Sequence, residues 1–393
     1  MKIAYTAHVD TFARDRLPPA SEWPELIFEL PELRFPERLN CATELLDRAV
    51  EAGRGGRTCL RAPGGLVWTY ADLQRTANRI AHVLVADLGV VPGNRVLLRA
   101  ANKPMLVACW FAVMKAGAIA VATMPLLRAK ELAQIVARAE ASHALCDVAL
   151  RDELEAARHA TSTLRQVVCF GGPKADRPEP GGPEAHRLGS VDPERLEARA
   201  ARHPADFRNV DTAADDTCLL AFTSGTTGQP KATMHFHRDV IAAGRCFPPH
   251  VLRAGEDDVF IGSPPLAFTF GLGGLTLFPM SIGASTVLIE KAGPPELLAA
   301  TREFGATVMF TAPTSYRAIA QAARAEAIAV ARGGTLRKCV SAGEVLPAAT
   351  RTLWREATGI ELIDGIGATE MLHIFIAADE ARVRAGATGL VVP

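Results

Sequence analysis

The run PMLVACWFAVMKAGAIAVATMPLL, Pro104–Leu127, constrains the fold most: its 24 residues hold one charge, Lys115. Such a stretch is nearly long enough to cross a bilayer as a helix. Two residues argue against that. Lys115 sits at its centre, where a charge is costly in hydrocarbon. Gly117 then follows, where a helix stops. The run therefore reads as a buried helix to about Lys115, a glycine stop, and a buried strand AIAVAT at 118–123. That is the centre of an α/β core rather than a membrane span.

The flanking sequence alternates in the same way. LVWTY (Leu66–Tyr70) reads as a strand, and ADLQRTANRIAHVLVADLG (71–89) has helical spacing that stops at Gly89. NRVLLRA (94–100) and HALCDV (143–148) are strands around the amphipathic helix RAKELAQIVARAEA (128–141). A Gly/Pro/charge-rich stretch, GGPKADRPEPGGPEAHR (Gly171–Arg187), reads as a surface loop. Beyond it TCLLAF, DVFIGS, STVLIE, ATVMFTAP, LRKCVSAG and IELIDGIG are strand candidates. PPELLAATREFG, PTSYRAIAQAARAEAIAVARGG and LPAATRTLWREATG are the helices between them. Short strands alternating with helices imply parallel sheets covered on both faces. The expected organisation is an N-terminal arm over the surface (1–40), a first αβ unit (41–170), a surface loop (171–215) and a second αβ unit (216–393).

Charge and cysteine content narrow the function. Lys+Arg and Asp+Glu both number 43, so no basic excess exists for nucleic acid or an anionic membrane. None of the 8 cysteines forms a C-x-x-C pair, which points to buried free thiols in a reducing, cytoplasmic setting. The N-terminus has no apolar signal core. His235 and His237, in KATMHFH, would share one face of a strand, but with no third ligand nearby they are not read as a metal pair.

The chemistry concentrates in TSGTTGQPKAT, Thr223–Thr233. Glycines at 225 and 228 let the backbone approach an anion closely. Thr223, Ser224, Thr226 and Thr227 supply hydroxyl donors, and Lys231 adds a point charge. This is not the phosphate loop G-x-x-x-x-G-K-[ST]: Pro230 stands where its second glycine belongs, and Ala232 follows the lysine. A P-loop kinase or NTPase is therefore disfavoured, and the loop itself offers no magnesium ligand.

The order of residues in TSGTTGQPKAT closely resembles the phosphate-binding signature of the acyl-adenylate-forming superfamily, which includes acyl- and aryl-CoA ligases. WTYADLQRTANRIA (Trp68–Ala81), MKAGAIAVATMPL (Met114–Leu126) and GIGATE (Gly365–Glu370) are similar to three further family segments, in order. DGIGATEMLHIFIA (Asp364–Ala377) and PLAFTFGLGG (Pro265–Gly274) look like the benzoate- and 2-aminobenzoate (anthranilate)-CoA ligase branch. The resemblance runs from about residue 40 to the end. It implies an α/β fold: the large N-terminal domain of adenylate-forming enzymes, two αβ subdomains with mostly parallel sheets and a smaller β subdomain.

The same resemblance implies an AMP-forming acid–thiol ligase. A carboxylate attacks the α-phosphorus of ATP, and CoA thiol then displaces AMP. It assigns the 223–231 loop, with Gly225, Gly228 and Lys231, to the β/γ-phosphates. Thr369 would meet the α-phosphate and Glu370 would hold Mg²⁺. Gly343, Glu344 and Val345 would pack on adenine, and Asp364 would meet its amino group. Gly365, Ile366 and Gly367 would complete that wall, with Ile366 where the family usually has an aromatic. Phe268, Thr269, Phe270, Gly271, Ala342, Gly367, His373 and Ile374 would line the aryl-acid pocket. Benzoate-type enzymes often carry Tyr where Phe270 stands, so Thr269 or His373 is left to partner an ortho-amino group, which favours anthranilate over benzoate.

The family's small C-terminal domain, with its adenylating lysine, is expected beyond GATGLVVP, so the 393 residues alone should bind but turn over feebly. A carrier-protein acceptor instead of CoA, a purely binding role for this chain and a homodimer stay open.

Overall fold

The computed structural model describes residues 5–172, 194–223, 230–322, 334–384 and 386–393. The strands are β1 (Thr58–Ala62), β2 (Leu66–Thr69), β3 (Arg95–Arg99), β4 (Ile119–Thr123), β5 (His143–Asp147), β6 (Gln166–Phe170), β7 (Thr217–Thr223), β8 (Lys231–Phe236), β9 (Val259–Gly262), β10 (Ser285–Val287), β11 (Val308–Thr311), β12 (Lys338–Ser341), β13 (Leu362–Gly367), β14 (Ile374–Ala377) and β15 (Leu390–Val391). They form two sheets, ordered β6-β5-β3-β4-β7-β8 and β15-β14-β13-β12-β11-β9-β10-β1-β2.

Both sheets are mostly parallel. In the first, β3 runs parallel to β4 and β5, and only the β7–β8 hairpin is antiparallel. In the second, β1, β10, β9, β11, β12 and β13 run parallel, and the antiparallel pairs β1–β2, β13–β14 and β14–β15 lie at its ends. Continuous apolar runs explain the parallel centres: every residue of β5, β11 and β12 is buried, as sheets covered on both faces require.

The apolar run folds as its two punctuating residues dictate. Pro104–Lys115 is a helix buried at every position, and Ile119–Thr123 is β4. Gly117 turns between them at φ 65°, and a Cβ there would lie 2.8 Å from Val210 Cγ1. Lys115, 1% exposed, reaches Asp47, whose carboxylate oxygens lie 2.6 and 2.7 Å from Nζ. No helix among the described residues is long and apolar enough to cross a membrane.

Two sequence-based boundaries shift. β1 and β2 fall within the expected first unit yet pair into the second sheet through β10. β7 and β8 fall within the expected second unit yet close the first sheet against β4. The two units therefore exchange strands, because sheet membership is decided by long-range pairing that local periodicity does not encode. The arm is also not wholly superficial. Phe12 and Ala13 are buried in the core beside Leu97, and Asp216 accepts a hydrogen bond from the Ala7 N–H at 2.9 Å. Most of the Gly171–Arg187 loop lies outside the described residues; past it, Leu196–Ala200 forms a short helix.

Candidate active site

Apart from the β7–β8 hairpin of the first sheet, the described residues singled out from the sequence gather at or just beyond the carboxyl ends of strands of the second sheet. This is the edge where open α/β sheets bind ligands, since each strand there ends in a turn free to vary. β12 ends at Ser341 and runs into Ala342 and Gly343. Ser341 is in register with Asp364 on β13, so the two expected adenine-lining segments are neighbours. Ala342 is buried, while Gly343, Glu344 and Val345 are exposed, Val345 at 90%. Glu344 accepts a long hydrogen bond, 3.4 Å, from Thr314 Oγ1. Burial raises the Asp364 carboxyl above the usual range, partly offset by Arg351. Ile366 is 46% exposed, an aliphatic surface at the place expected for ring contact.

The glycine–threonine loop connects β7 to β8. Thr223 is paired directly opposite Lys231, so the lysine stands at the mouth of a hairpin. Ser224, Gly225, Thr226, Thr227 and Gly228 lie outside the described residues. Lys231 is exposed at that mouth. The hairpin is tied to the GATE turn by His235, whose ring nitrogen Nε2 lies 2.7 Å from the Thr369 carbonyl. Burial holds the His235 imidazole below its usual pKa, so the neutral ring donates Nε2–H to that carbonyl. Thr369–Met371 forms a short helical turn in which Glu370 is exposed and, among the described residues, makes no ion pair. An exposed carboxylate with free oxygens suits a hard divalent cation.

The expected acid pocket follows β9. Asn102, which the sequence reading missed, braces the turn after β9: its Nδ2 donates to the Pro264 carbonyl at 2.9 Å and its Oδ1 accepts from the Leu266 N–H at 2.8 Å. A short helical turn, Thr269–Leu272, then carries Thr269, Phe270 and Gly271 inward, while Phe268 remains 45% exposed. The glycines here make room for specific atoms. A Cβ on Gly271 would lie 2.1 Å from the Pro265 carbonyl oxygen, and one on Gly273 would lie 2.2 Å from His373 Cδ2. Ile374 packs on Gly365, where a Cβ would meet its Cδ1 at 2.6 Å. Leu372, between the GATE turn and His373, has φ 62°, a strained conformation for a branched residue and one that concentrates at functional sites.

His373 is the centre of a packed aromatic cluster where the acid pocket is expected. Phe278, Phe270, Phe247 and Phe310 surround it, with ring centroids 4.4, 5.5, 5.6 and 6.1 Å away. Three of these, Phe247, Phe278 and Phe310, come from distant elements that the sequence reading did not connect to the pocket. Burial in this aromatic cage pushes the His373 pKa down to about 3. The ring is therefore neutral. Nε2 faces the Phe270 carbonyl at 3.3 Å as donor, which leaves buried Nδ1 as an acceptor with no partner.

That depression has a measurable consequence. An exposed histidine in the unfolded chain titrates near 6.5. Because the folded state takes up the proton less readily, the stability contribution is complete above pH ~6.5 and is lost as pH falls toward 3. The slope from one such group approaches ~1.4 kcal/mol per pH unit. Urea midpoints measured between pH 7 and 4 should fall less steeply in His373→Gln than in the wild type. Parallel slopes would contradict this.

The two histidines of KATMHFH do not share a strand face. His235 belongs to β8, but His237 opens the helix His237–Phe247, which begins where Asp239 accepts from the Phe236 N–H at 2.8 Å. His237 points instead at Cys41.

A lysine at a hairpin mouth, an exposed carboxylate on the turn that His235 ties to that hairpin, and an aromatic cluster around His373 have known counterparts. The AMP-binding enzyme family model matches residues 46–393. The chain belongs to the AMP-binding enzyme family. It is 30% identical over 364 residues to the benzoate–CoA ligase of Thauera aromatica, covering 92% of this chain and 65% of that protein. It is 32% identical over 320 residues to the anthranilate–CoA ligase of Pseudomonas aeruginosa, covering 77% of this chain and 54% of that protein. Among solved structures, the anthranilate CoA ligase AuaEII in complex with anthranoyl-AMP matches with a TM-score of 0.80 and 31% identity, over 92% of this chain and 66% of that one. The AMP-binding chain thus spans about two thirds or less of the length of these relatives.

Proposed function

We propose that this chain supplies the nucleotide and acid sites of an ATP-dependent aryl-CoA ligase, with anthranilate favoured over benzoate. The aromatic cage around a neutral, buried His373 carries this reading. Apolar aromatic surroundings without a buried charge suit a small aromatic ring, whose carboxylate would point toward the Thr369–Glu370 turn.

In the reaction so proposed, the carboxylate oxygen attacks the α-phosphorus of ATP, pyrophosphate leaves, and the sulfur of CoA then displaces AMP from the acyl carbon. Negative charge moves onto phosphate oxygens in the first half, so donors fixed beforehand lower its barrier. Lys231 and Thr223 at the hairpin mouth, with Ser224, Gly225, Thr226, Thr227 and Gly228 of the connecting loop, would receive the β- and γ-phosphates. Thr369 Oγ1 would donate to the α-phosphate. His235 would hold that turn against the hairpin through the Thr369 carbonyl. Glu370 would hold Mg²⁺, which when bound neutralises phosphate charge. Gly343, Glu344, Val345, Asp364 and Ile366 would form the adenine wall. Thiol transfer to CoA rather than to a carrier-protein phosphopantetheine is tested by competing the two acceptors against a preformed acyl-adenylate in the complete enzyme.

The ortho-amino preference rests on His373. Its Nδ1 is a lone pair without a donor, and anthranilate brings an N–H that benzoate lacks. A net hydrogen bond is worth about 0.5–1.5 kcal/mol, or roughly two- to tenfold in affinity. His373→Ala should reduce the anthranilate-to-benzoate affinity ratio by about that factor in calorimetric titrations. An unchanged ratio would remove the basis for favouring anthranilate while leaving the aryl pocket itself in place.

A further inference from the structure

Away from the strand-end cleft, three side chains remote in sequence meet at one buried point. Cys41 opens the helical segment after Asn40, Cys218 lies on β7, and His237 opens the helix after β8. All three are 0% exposed. Cys41 Sγ lies 3.2 Å from His237 Nδ1, and the ligand atoms of all three lie within 4.8 Å of one another. Among the described residues no other group of three His, Cys, Asp or Glu side chains converges this closely.

Buried thiols are ordinary core residues, and by themselves they imply nothing. The imidazoles add a second observation. His237 Nε2 is buried without a hydrogen-bond partner. The same holds for Nε2 of His8, on the N-terminal arm, close enough for the two rings to interact electrostatically. Buried polar atoms are nearly always satisfied, so these nitrogens mark an unusually polar corner of the core; the donors that converge are the two sulfurs and the imidazole, whose Nδ1 faces Cys41.

We propose that Cys41, Cys218 and His237 form a binding site for a thiophilic divalent cation of the zinc type. Two sulfurs and an imidazole nitrogen are the donor set that selects such an ion over magnesium or calcium. Binding forms two metal–sulfur bonds and one metal–nitrogen bond and releases the two thiol protons to solvent. Two thiolates then balance the 2+ charge, so no net charge is left in the core. Nδ1 of His237 now accepts the Cys41 N–H at 3.2 Å, and the cation takes over that lone pair. The Cys41 N–H then loses its acceptor inside the core, a cost that the three metal bonds must outweigh. The site would pin together the start of the first helix, β7 leading into the hairpin, and the helix that leaves it. It does not depend on what the cleft binds.

Cobalt titration of the metal-stripped wild-type protein tests this. The expected result is uptake of one equivalent, with the visible bands and thiolate charge-transfer absorption of tetrahedral cobalt, and displacement by zinc. Cys218→Ser and His237→Gln should each weaken uptake at least tenfold, with circular dichroism verifying that the variants are folded. If a variant does not fold, the wild-type spectrum and stoichiometry decide alone. A folded wild-type protein that takes up no cobalt, or binds it without thiolate absorption, would overturn the proposal. So would unchanged uptake in both variants, or a Cys41–Cys218 disulfide in the isolated protein.

Discussion

Gly271→Ala is expected to cost the protein its aryl ligand. The new Cβ would sit 2.1 Å from the Pro265 carbonyl oxygen, 2.6 Å from its carbonyl carbon and 2.7 Å from the Pro264 oxygen. These are backbone atoms, so no side chain can swing aside. The Pro264 carbonyl is held at 2.9 Å by Asn102, and the Pro265 carbonyl accepts the Phe268 N–H at 3.0 Å. Either that braced turn or the Thr269–Leu272 turn must move, and Phe268 and Phe270 move with it. Ordinary overpacking costs about 1–3 kcal/mol, and a clash with backbone on one side belongs at or above the top of that range. Affinity for a benzoyl- or anthraniloyl-adenylate analogue should fall more than tenfold, which corresponds to ~1.4 kcal/mol, while ATP affinity changes little. Gly255→Ala, where a Cβ meets nothing within 4 Å, is the control. Unchanged analogue affinity in Gly271→Ala would contradict the placement of the acid pocket.

Asp47→Ala is expected to be the most destabilising single change outside the cleft. Lys115 is 1% exposed and its ammonium depends on Asp47 for charge balance; burial already lowers its pKa against the attraction of that carboxylate. The same carboxylate accepts from Asn209 at 2.7 Å and Gln74 at 2.8 Å. Removing one member of a buried pair leaves an uncompensated charge and costs about 3–5 kcal/mol. Replacing both by apolar side chains of similar size, Asp47→Leu with Lys115→Met, should be much less costly than Asp47→Ala, because neither charge then needs desolvation. Urea unfolding midpoints of the wild type, the single variant and the double variant check this. A single-variant loss below about 1 kcal/mol would mean that the pair behaves as an exposed one.

What the sequence made legible was local. Lys115 and Gly117 divided an almost membrane-like run into the helix Pro104–Lys115 and β4, because a central charge and a glycine each have one cheap reading there. Gly343 and GIGATE likewise lie at the ends of β12 and β13, since a glycine-rich turn after an apolar run has few other places to go. Long-range pairing was hidden. Nothing in TCLRA, Thr58–Ala62, reveals that β1 joins β10 rather than its own neighbours in sequence. The aromatic cage drew Phe247, Phe278 and Phe310 from separate elements, each of which reads as plain core when taken alone. His237 was misplaced on a strand because HFH alternates like one; Asp239, two residues on, was the available sign of a helix start. Cys41 and Cys218 were legible as buried thiols but not as neighbours, since no short spacing connects them.

The central claim is that one cleft binds an aryl ring in the His373 cage and an adenylate against the strand ends beside it. Isothermal titration of the 393-residue chain with a non-hydrolysable anthraniloyl-adenylate analogue tests it most directly. The expected result is saturable one-to-one binding, competed by ATP and separately by anthranilate, and weakened by Gly271→Ala. Absence of binding by the anthraniloyl and benzoyl analogues alike, in a chain shown to be folded, would contradict it.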